Sequence, residues 1–202
     1  MRVWADAWQF GITTLGSTQE KDRQMAKQKV DYRENYQAVI EAMTHHGLLL
    51  GSYDADQKPN IMAIGWGSVG SIWGIPLWTV LVRPSRYTYQ CIEHSGCFTV
   101  SVPPESLGMA VATCGSKSGR DTDKFAETGL TAKKAGSVLA PVVAECPIVY
   151  ECQVVHSNDV LPAKLADEIL AGSYIDGDFH RVYWGKILAA YAEPNAAELL
   201  KK

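Results

Sequence analysis

Short apolar runs of strand length, separated by links of turn length, recur along this chain and limit the folds open to it. Six runs have this character: residues 48–53, 60–66, 77–83, 98–102, 148–156 and 181–191. Runs of this length bounded by turn residues are typical of β-strands, and short links join antiparallel neighbours. We therefore predict a mainly β fold, an antiparallel barrel or sandwich with decorating helices, and not a doubly wound parallel sheet.

Fewer segments carry the helical period. Tyr36, Val39, Ile40 and Met43 recur at helical spacing, and Gly47 follows as a stop. Further helices are predicted at residues 85–94, from residue 122 onward, and at residues 167–171. The predicted helices therefore decorate the sheet and do not alternate with its strands.

Length and composition favour one globular domain with a short arm. The 202 residues are 47% apolar and 20% charged, which is enough to bury a core without disulfides. Residues 16–29 are polar and charged, so we divide the chain into an N-terminal arm, residues 1–30, and a single domain, residues 31–202. No apolar run reaches the roughly 18 residues that a membrane span needs. The N-terminal residues also lack the pattern of a signal peptide.

Charge and cysteine usage argue against several function classes. Nineteen basic and 22 acidic residues give a net charge of −3, which lacks the basic footprint of a duplex-binding protein. The five cysteines are odd in number and include no Cys-x-x-Cys, so neither a disulfide framework nor a structural zinc site is expected. We therefore expect a cytoplasmic protein with neither nucleic acid nor a membrane as its partner.

The segment Asn60-Ile-Met-Ala-Ile-Gly-Trp66 is the first of three that are candidates for chemistry. Side chains alternate across a strand, so one face carries Asn60, Met62, Ile64 and Trp66. The opposite face carries Ile61, Ala63 and Gly65. A glycine in a strand marks close approach of a ligand or backbone, or a bulge in an ordinary core strand. Both interpretations of Gly65 stay open.

The second segment, Arg83-Pro-Ser-Arg-Tyr-Thr88, lies between a predicted strand and a predicted helix. Ser85 is a suitable N-cap, and the helix N-terminus adds free N–H groups and a positive dipole end. Arg83, Arg86 and the Thr88 hydroxyl are therefore candidates to bind one phosphate. The alternative is two solvated arginines on a loop, which is a common place for arginine.

The third segment, residues 114–125, reads Cys-Gly-Ser-Lys-Ser-Gly-Arg-Asp-Thr-Asp-Lys-Phe. Gly115 and Gly119 permit backbone turns that present consecutive N–H groups to an anion. Asp121 or Thr122 is expected to cap the helix that follows. The segment is neither a Walker A loop nor a dinucleotide fingerprint. Its concentration of hydroxyls and cations favours a binding loop over a flexible linker.

No motif for metal or nucleophilic catalysis appears in the sequence. Nothing in it pairs Cys114 with a base, so a nucleophilic role is not expected. His156 and His180 lie at the ends of predicted strands and are candidates to line a site. Trp73 and Trp78 flank a Gly-Ile-Pro and are candidates for a subunit interface.

Taken in order, these segments resemble the flavin reductase-like family with the FMN-binding split-barrel fold, including its flavoredoxin-type members. The residues that carry the resemblance are Lys58-Pro-Asn-Ile-Met-Ala-Ile-Gly-Trp66, Ile75-Pro76, Arg83 to Thr88, Phe98-Thr-Val-Ser-Val-Pro103, and Cys114-Gly115 with Ser118-Gly-Arg-Asp-Thr-Asp-Lys-Phe125. The match spans roughly residues 36–191. Residues before 30 and residues 161–178 are not covered by it.

The resemblance implies an antiparallel split β-barrel that binds FMN near the interface of a homodimer. It implies that a helix N-terminus holds the phosphate and that the first strand and the glycine loop line the flavin. The implied cofactor-binding residues are Asn60, Met62, Ala63, Ile64, Gly65, Trp66, Arg83, Arg86, Thr88, Cys114, Gly115, Ser118, Gly119 and Lys124. Lys124, near the polar edge of the ring, would raise the flavin potential. NAD(P)H is implied as a transient electron donor.

FMN brings its own redox chemistry, so a protein that holds it needs no catalytic triad. We therefore predict an FMN-dependent oxidoreductase that passes electrons from NAD(P)H through the flavin to a small acceptor or partner. One alternative is an FMN-holding electron carrier that a partner protein reduces, without NAD(P)H activity of its own. Another is a barrel that has lost the flavin and acts as a binding protein or scaffold.

Overall fold

A computed structural model describes residues 27–201 of the chain. This part contains ten strands: β1 (Gln28–Val30), β2 (Leu48–Tyr53), β3 (Pro59–Ile64), β4 (Gly67–Ile72), β5 (Ile75–Val82), β6 (Cys97–Val102), β7 (Ala132–Lys134), β8 (Pro141–Val143), β9 (Ile148–Asp159) and β10 (Arg181–Ala192). The α-helices of the same part are α1 (Tyr36–His45), α2 (Tyr87–Ser95), α3 (Gly108–Ser116), α4 (Lys124–Thr128), α5 (Asp167–Ser173) and α6 (Ala196–Leu199).

Eight of these strands form one antiparallel sheet, which confirms the predicted fold class. The strand order is β3-β2-β6-β9-β10-β5-β4, and β1 pairs with the end of β10. β7 and β8 form a separate pair. β9 and β10 have 12 residues each and share the longest ladder, so they form the centre of the sheet.

The two strands at the ends of this order, β3 and β4, follow each other directly in the chain. β3 ends at Ile64 and β4 begins at Gly67, so only Gly65 and Trp66 link them. A link of two residues brings the two ends of the sheet order together, and the sheet therefore curls round on itself. None of the described ladders joins β3 to β4, so the barrel is split at this point.

Apolar side chains fill the inside of the curled sheet, with α1 packed against it. Trp78 has no exposed surface and lies edge-on to Tyr150, with ring centroids 5.8 Å apart. A second cluster packs α3 and α4 on the outer face of β2 and β3, through residues such as Leu49, Ile61 and Val111. Because Trp78 belongs to the core, its expected place at a subunit interface is wrong.

The six predicted strands differ from the observed ones by a few residues at their ends, but several other elements were not predicted, among them β4 and α3. β4 reads Gly-Ser-Val-Gly-Ser-Ile and buries only Val69, so it has no apolar run to signal a strand. α3 includes Cys114 and Gly115, which the sequence placed in a loop. A glycine near the end of a helix lowers its intrinsic propensity, and α3 forms because it packs on β3.

The predicted N-cap residues were wrong by one or two positions. α2 begins at Tyr87 with Arg86 at the N-cap, and Ser85 instead donates its hydroxyl to Asp178 Oδ2 at 2.5 Å. α4 is capped by Asp123, whose carboxylate accepts from the Ala126 N–H at 3.1 Å. Neither Asp121 nor Thr122 has that role, because the helix starts further along the chain.

Three residues of the predicted arm belong to the sheet, since β1 pairs with Ala190 to Ala192 of β10. The rest of the arm, residues 1–26, lies outside the described residues, so the division into arm and domain stays a prediction. No helix among residues 27–201 is long and apolar enough to cross a membrane. The five cysteines are buried free thiols.

Candidate functional site

A cleft of about 360 Å³ opens where the barrel is split. Its walls come from the end of β3, the Gly65–Trp66 link, the junction of β5 with α2, and the end of α3 with the loop after it. Thirteen of the fourteen sequence-predicted residues line it: Met62, Ala63, Ile64, Gly65, Trp66, Arg83, Arg86, Thr88, Cys114, Gly115, Ser118, Gly119 and Lys124. Segments that are far apart in sequence therefore meet at one place, although their roles as ligands stay predictions.

Asn60, the fourteenth residue, lies behind the cleft wall and is 5% exposed. Its amide donates to Thr88 Oγ1 at 2.8 Å, while Asn60 Oδ1 is buried without a hydrogen-bond partner among the described residues. A buried amide oxygen without a donor is costly, at about 1–3 kcal/mol. Asn60 Oδ1 lies instead against the backbone of Gly119, where a Cβ would contact it.

Gly65 and Trp66 lie beyond the end of β3, so the expected alternation stops at Ile64. A Cβ at Gly65 would meet nothing nearer than the Met43 carbonyl oxygen, at 3.9 Å. No close approach of the described backbone therefore requires glycine there. Trp66 is 47% exposed at the mouth of the cleft, and its indole face is available to a ligand.

The Arg83 guanidinium mainly donates hydrogen bonds to backbone carbonyls of the protein itself. Nη1 donates to the carbonyls of Gly177 and Asp178 at 3.1 and 2.8 Å, and Nη2 donates to Ser173 at 2.8 Å. The guanidinium also lies 5.1 Å from the centre of the Tyr174 ring. Three of its five N–H donors are therefore engaged by protein groups.

Arg86 is the exposed cation at the N-terminus of α2. Its guanidinium makes no hydrogen bond or ion pair with any residue between 27 and 201, and it lines the cleft. Arg120 approaches from the loop after α3, where it donates to the Ser85 carbonyl at 2.9 Å and lies 5.5 Å from the Tyr87 ring centre. Two guanidinium groups and a helix N-terminus thus meet at one end of the cleft, an arrangement that suits a phosphate.

Cys114 and Gly115 line the cleft from helix α3, and not from a loop as the sequence predicted. Gly115 lets the helix approach β3, since a Cβ there would lie 3.3 Å from the Ala63 Cβ. Cys114 is buried, and burial raises the pKa of its thiol to about 11. A thiol held protonated in this way is a poor nucleophile, which agrees with the absence of a partner base.

Lys124 is buried between β3 and α3. Its ammonium donates to the carbonyls of Ile61 and Cys114, both at 2.8 Å. Desolvation lowers the pKa of Lys124 below its usual value, with the nearby Arg86 acting in the same direction. An ammonium has three donors, so one remains for the cleft beyond the two carbonyls.

Six cleft residues were not among the predicted ligands: Leu81, Ser85, Tyr87, Lys117, Arg120 and His180. His180, which the sequence offered only as a candidate to line a site, is 8% exposed. Its Nδ1 bonds the Tyr174 hydroxyl at 2.8 Å, and its ring centre lies 5.2 Å from that of Trp66. Burial, assisted by the Arg83 cation, lowers the pKa of His180 to about 4. The imidazole is therefore neutral near pH 7.

Tyr87 forms part of the wall behind Gly119. Its hydroxyl donates to Asp54 Oδ2 at 3.0 Å, and burial together with that carboxylate raises the pKa of Tyr87 to about 12. A Cβ at Gly119 would contact Asn60 Oδ1 and lie 3.0 Å from Tyr87 Cδ1. Gly119 is therefore required by the packing of the protein itself.

The cleft fits a flavin mononucleotide in the character of its groups. It has cations and a helix N-terminus at one end, apolar walls from Met62, Ile64 and Trp66, and the buried ammonium of Lys124. Its volume lies in the range of small-molecule sites. Among the residues from 27 to 201, no group of three or more His, Cys, Asp or Glu side chains is placed to hold a metal ion.

The fold and the cleft define a split barrel whose opening is lined by groups that suit a flavin. The chain belongs to the flavin reductase-like family: the model of the flavin reductase like domain matches residues 41–201. The expected family and fold are thereby confirmed.

Solved structures of the same fold agree. Flavoredoxin of Desulfovibrio vulgaris (Miyazaki F) is 29% identical, with a TM-score of 0.59 over 73% of this chain and 69% of that one. An FMN-binding domain of a flavin reductases-like enzyme from Shewanella baltica OS155 is 20% identical, with a TM-score of 0.60 over 83% and 78% of the two chains. At that identity the second likeness shows the fold alone.

A curated relative from Escherichia coli K12, the uncharacterized protein YddH, is 33% identical over 106 residues. That alignment covers 51% of this chain and 56% of YddH. The chain thus matches about half the length of this relative.

Proposed function

We propose that this protein is an FMN-dependent oxidoreductase that passes electrons from NAD(P)H through the bound flavin to a small acceptor or a partner protein. The observation that carries the proposal is the meeting of three separate segments around one cleft, with Arg86 and the start of α2 at its cationic end. Membership of the flavin reductase-like family supports it. Bound FMN would supply the electron-transfer chemistry, which the protein side chains do not.

Different residues of the cleft would then bind different parts of the FMN. Arg86, Arg120 and the N–H groups at the start of α2 would bind the phosphate. Trp66 and Met62 would border the ring, and Lys124 would donate to its polar edge. A cation there stabilises negative charge that builds up on reduction, and Lys124 would therefore raise the flavin potential.

The visible absorption spectrum of the purified protein, recorded before and after NADH or NADPH is added without oxygen, tests this proposal. Flavin bands that bleach on mixing, with no other protein present, are expected. A bound flavin that neither nucleotide bleaches would contradict the NAD(P)H step.

A second function is that of an FMN-holding electron carrier. The likeness to a flavoredoxin at 29% identity favours it. The same spectrum distinguishes the two functions, because a carrier keeps its colour with NAD(P)H and loses it when a reductase is added. A colourless protein that retains no FMN would instead favour a barrel that serves as a scaffold.

We also propose a homodimer with the flavin near the subunit interface. Trp73 is 65% exposed and Ile72 is 42% exposed at the β4–β5 turn. The Trp73 ring packs edge-on to His156, at 5.9 Å between centres, and His156 lies 4.9 Å from Trp184. An exposed aromatic row of this kind is typical of a protein interface.

A further inference from the structure

Residues 161–180, here called the covering segment, lie between β9 and β10, and all but two of them are exposed or half-buried. Tyr174 and His180 are the buried residues of the segment, which otherwise includes α5 and a 3-10 turn at Pro162–Lys164. A segment with so little buried surface has a low local stability. Its position therefore depends on a few specific contacts.

Arg83 provides the most numerous of these contacts. It donates to the carbonyl of Ser173, the last residue of α5, and to the carbonyls of Gly177 and Asp178 further along. Carbonyls at a helix C-terminus lack partners within the helix, and the planar fork of arginine can satisfy several acceptors at once. Arg83 thus joins the end of β5 to both ends of the turn after α5.

A chain of ring contacts leads from Arg83 to the mouth of the cleft. The Arg83 guanidinium lies 5.1 Å from the centre of the Tyr174 ring, and Phe179 stacks on that ring with centroids 4.8 Å apart. The Tyr174 hydroxyl bonds His180 Nδ1 at 2.8 Å, and the His180 ring lies 5.2 Å from Trp66. The orientation of His180 is therefore set by the part of the segment that Arg83 holds.

We propose that Arg83 is a positioning residue: by fixing the covering segment it holds His180 against Trp66, and this aromatic pair admits flat aromatic substrates to the cleft beside the flavin. Aromatic rings pack favourably in offset or edge-on geometry at such distances, and a planar substrate in the cleft can pack in this way against both His180 and Trp66. The role differs from the phosphate contact that the sequence predicted for Arg83. The part about substrates rests on the proposed function, whereas the positioning of His180 does not.

The positioning is tested without flavin, by following the His180 ring through a pH titration by NMR, with His180→Asn used to assign its signals. Arg83, Arg86 and Asp178 are the charged groups near the ring, and the Tyr174 hydroxyl bonds it. The pKa of His180 is about 4 in the native protein. Arg83→Lys keeps the positive charge but loses the planar guanidinium that binds several carbonyls at once. A rise of the His180 pKa toward 6.5 in this variant therefore reports movement of the His180 ring. A native pKa in both Arg83→Lys and Arg83→Met overturns the proposal.

The role toward substrate is tested on the FMN-loaded protein, with p-chlorophenol as a flat aromatic probe whose stacking on oxidised flavin gives a charge-transfer band. Arg83→Met should weaken binding of the probe about tenfold and leave the preference for FMN over riboflavin unchanged. Arg86→Met is the matched control, three positions away at the same junction. It should lower the preference for FMN about tenfold or more and leave the probe affinity unchanged.

Three results separate the possibilities. An Arg83→Met protein that loses FMN relative to riboflavin as strongly as Arg86→Met makes Arg83 a phosphate ligand and overturns the proposal. Native affinity for p-chlorophenol in Arg83→Met overturns it as well, because the contacts are then structural only. A native protein that binds no FMN defeats the proposed function, while the titration of His180 still decides the positioning. Arg83→Lys serves for both measurements if Arg83→Met does not fold.

Discussion

Arg86 differs from Arg83 in what its guanidinium touches, and this difference gives the first prediction. Arg86 is exposed in the cleft and its guanidinium has no hydrogen-bond or ion-pair partner among residues 27–201, whereas Arg83 donates to three carbonyls. Arg86→Ala should weaken FMN binding by about 1.5–3 kcal/mol, the value of a hydrogen bond to a charged group. It should affect riboflavin, which has no phosphate, much less. Titration of the apoprotein with both flavins measures this, and equal losses would reject the phosphate role.

Lys124 is the residue on which the flavin potential should depend. Lys124→Met removes a cation beside the proposed ring site and should lower the midpoint potential by tens of millivolts, if the interaction is worth about 1–2 kcal/mol. It also leaves the carbonyls of Ile61 and Cys114 without their donor, so the free energy of unfolding should fall by about 1–3 kcal/mol.

Lys117 offers a matched control for Lys124. It lines the same cleft, but it is exposed and paired with Glu127. Lys117→Met should therefore change stability by less than about 1 kcal/mol, as expected of an exposed ion pair. An unchanged redox potential in Lys124→Met would show that this lysine serves the packing of β3 and α3 only.

His180 should make the protein sensitive to acid. Its pKa is about 4 in the folded protein, because burial and the Arg83 cation disfavour the imidazolium, whereas an unfolded chain has the ordinary value of 6.5. Between these two pH values the unfolded chain takes up a proton that the folded protein does not, so the free energy of unfolding falls as the pH is lowered through that window.

His180→Gln should remove part of that dependence, and His94→Gln, at an exposed histidine of α2, should not. Urea unfolding at pH 7, 5 and 4 measures the slope for each protein. Identical slopes for His180→Gln and the native protein would contradict the assignment.

At the scale of elements, the loop after α3 gives a prediction that the sequence alone did not. A Cβ at Gly119 would contact Asn60 Oδ1 and Tyr87 Cδ1, the latter at 3.0 Å. Gly119→Ala should therefore destabilise the protein by about 1–3 kcal/mol even without flavin, as overpacking does. Gly108→Ala is the control, since a Cβ at the start of α3 meets nothing within 4 Å. Equal thermal stability of the two variants would contradict this packing.

The sequence predicted the strands with apolar runs well, and it predicted which segments meet at the site. It missed β4, whose alternating glycines and serines carry no apolar signal, and α3, whose packing on β3 outweighs the cost of Gly115. It offered His180 only as a candidate to line a site, and not as a neighbour of Trp66. The covering segment that places this residue matched no familiar pattern, and only the fold brings it to Trp66.

The hydrogen-bond partners of the two arginines could not be predicted from the sequence either. Arg83 and Arg86 lie three positions apart in one motif, yet their environments differ because the covering segment returns to Arg83 from more than ninety residues away in the chain. Contacts of that range depend on tertiary structure, and local spacing does not encode them.

At the scale of the whole molecule, the row of aromatic rings formed by Trp73, His156 and Trp184 predicts that two chains form a dimer. Trp73→Asp should weaken the proposed dimer by about 2 kcal/mol or more, the loss typical of a central interface aromatic. Met109→Asp is a suitable control, because Met109 is 83% exposed on α3, away from the β4–β5 turn. Light scattering at micromolar concentration gives the mass. A native protein that is monomeric with flavin still bound would contradict the dimer.

The central claim is that the cleft at the split of the barrel holds FMN, and the visible spectrum of the protein after gel filtration from excess FMN tests it most directly. We expect the bands of oxidised flavin to travel with the native protein, at one flavin per chain, and to be much reduced in Arg86→Ala. A native protein that emerges colourless, or one that keeps FMN equally well when Arg86 is removed, would contradict the account.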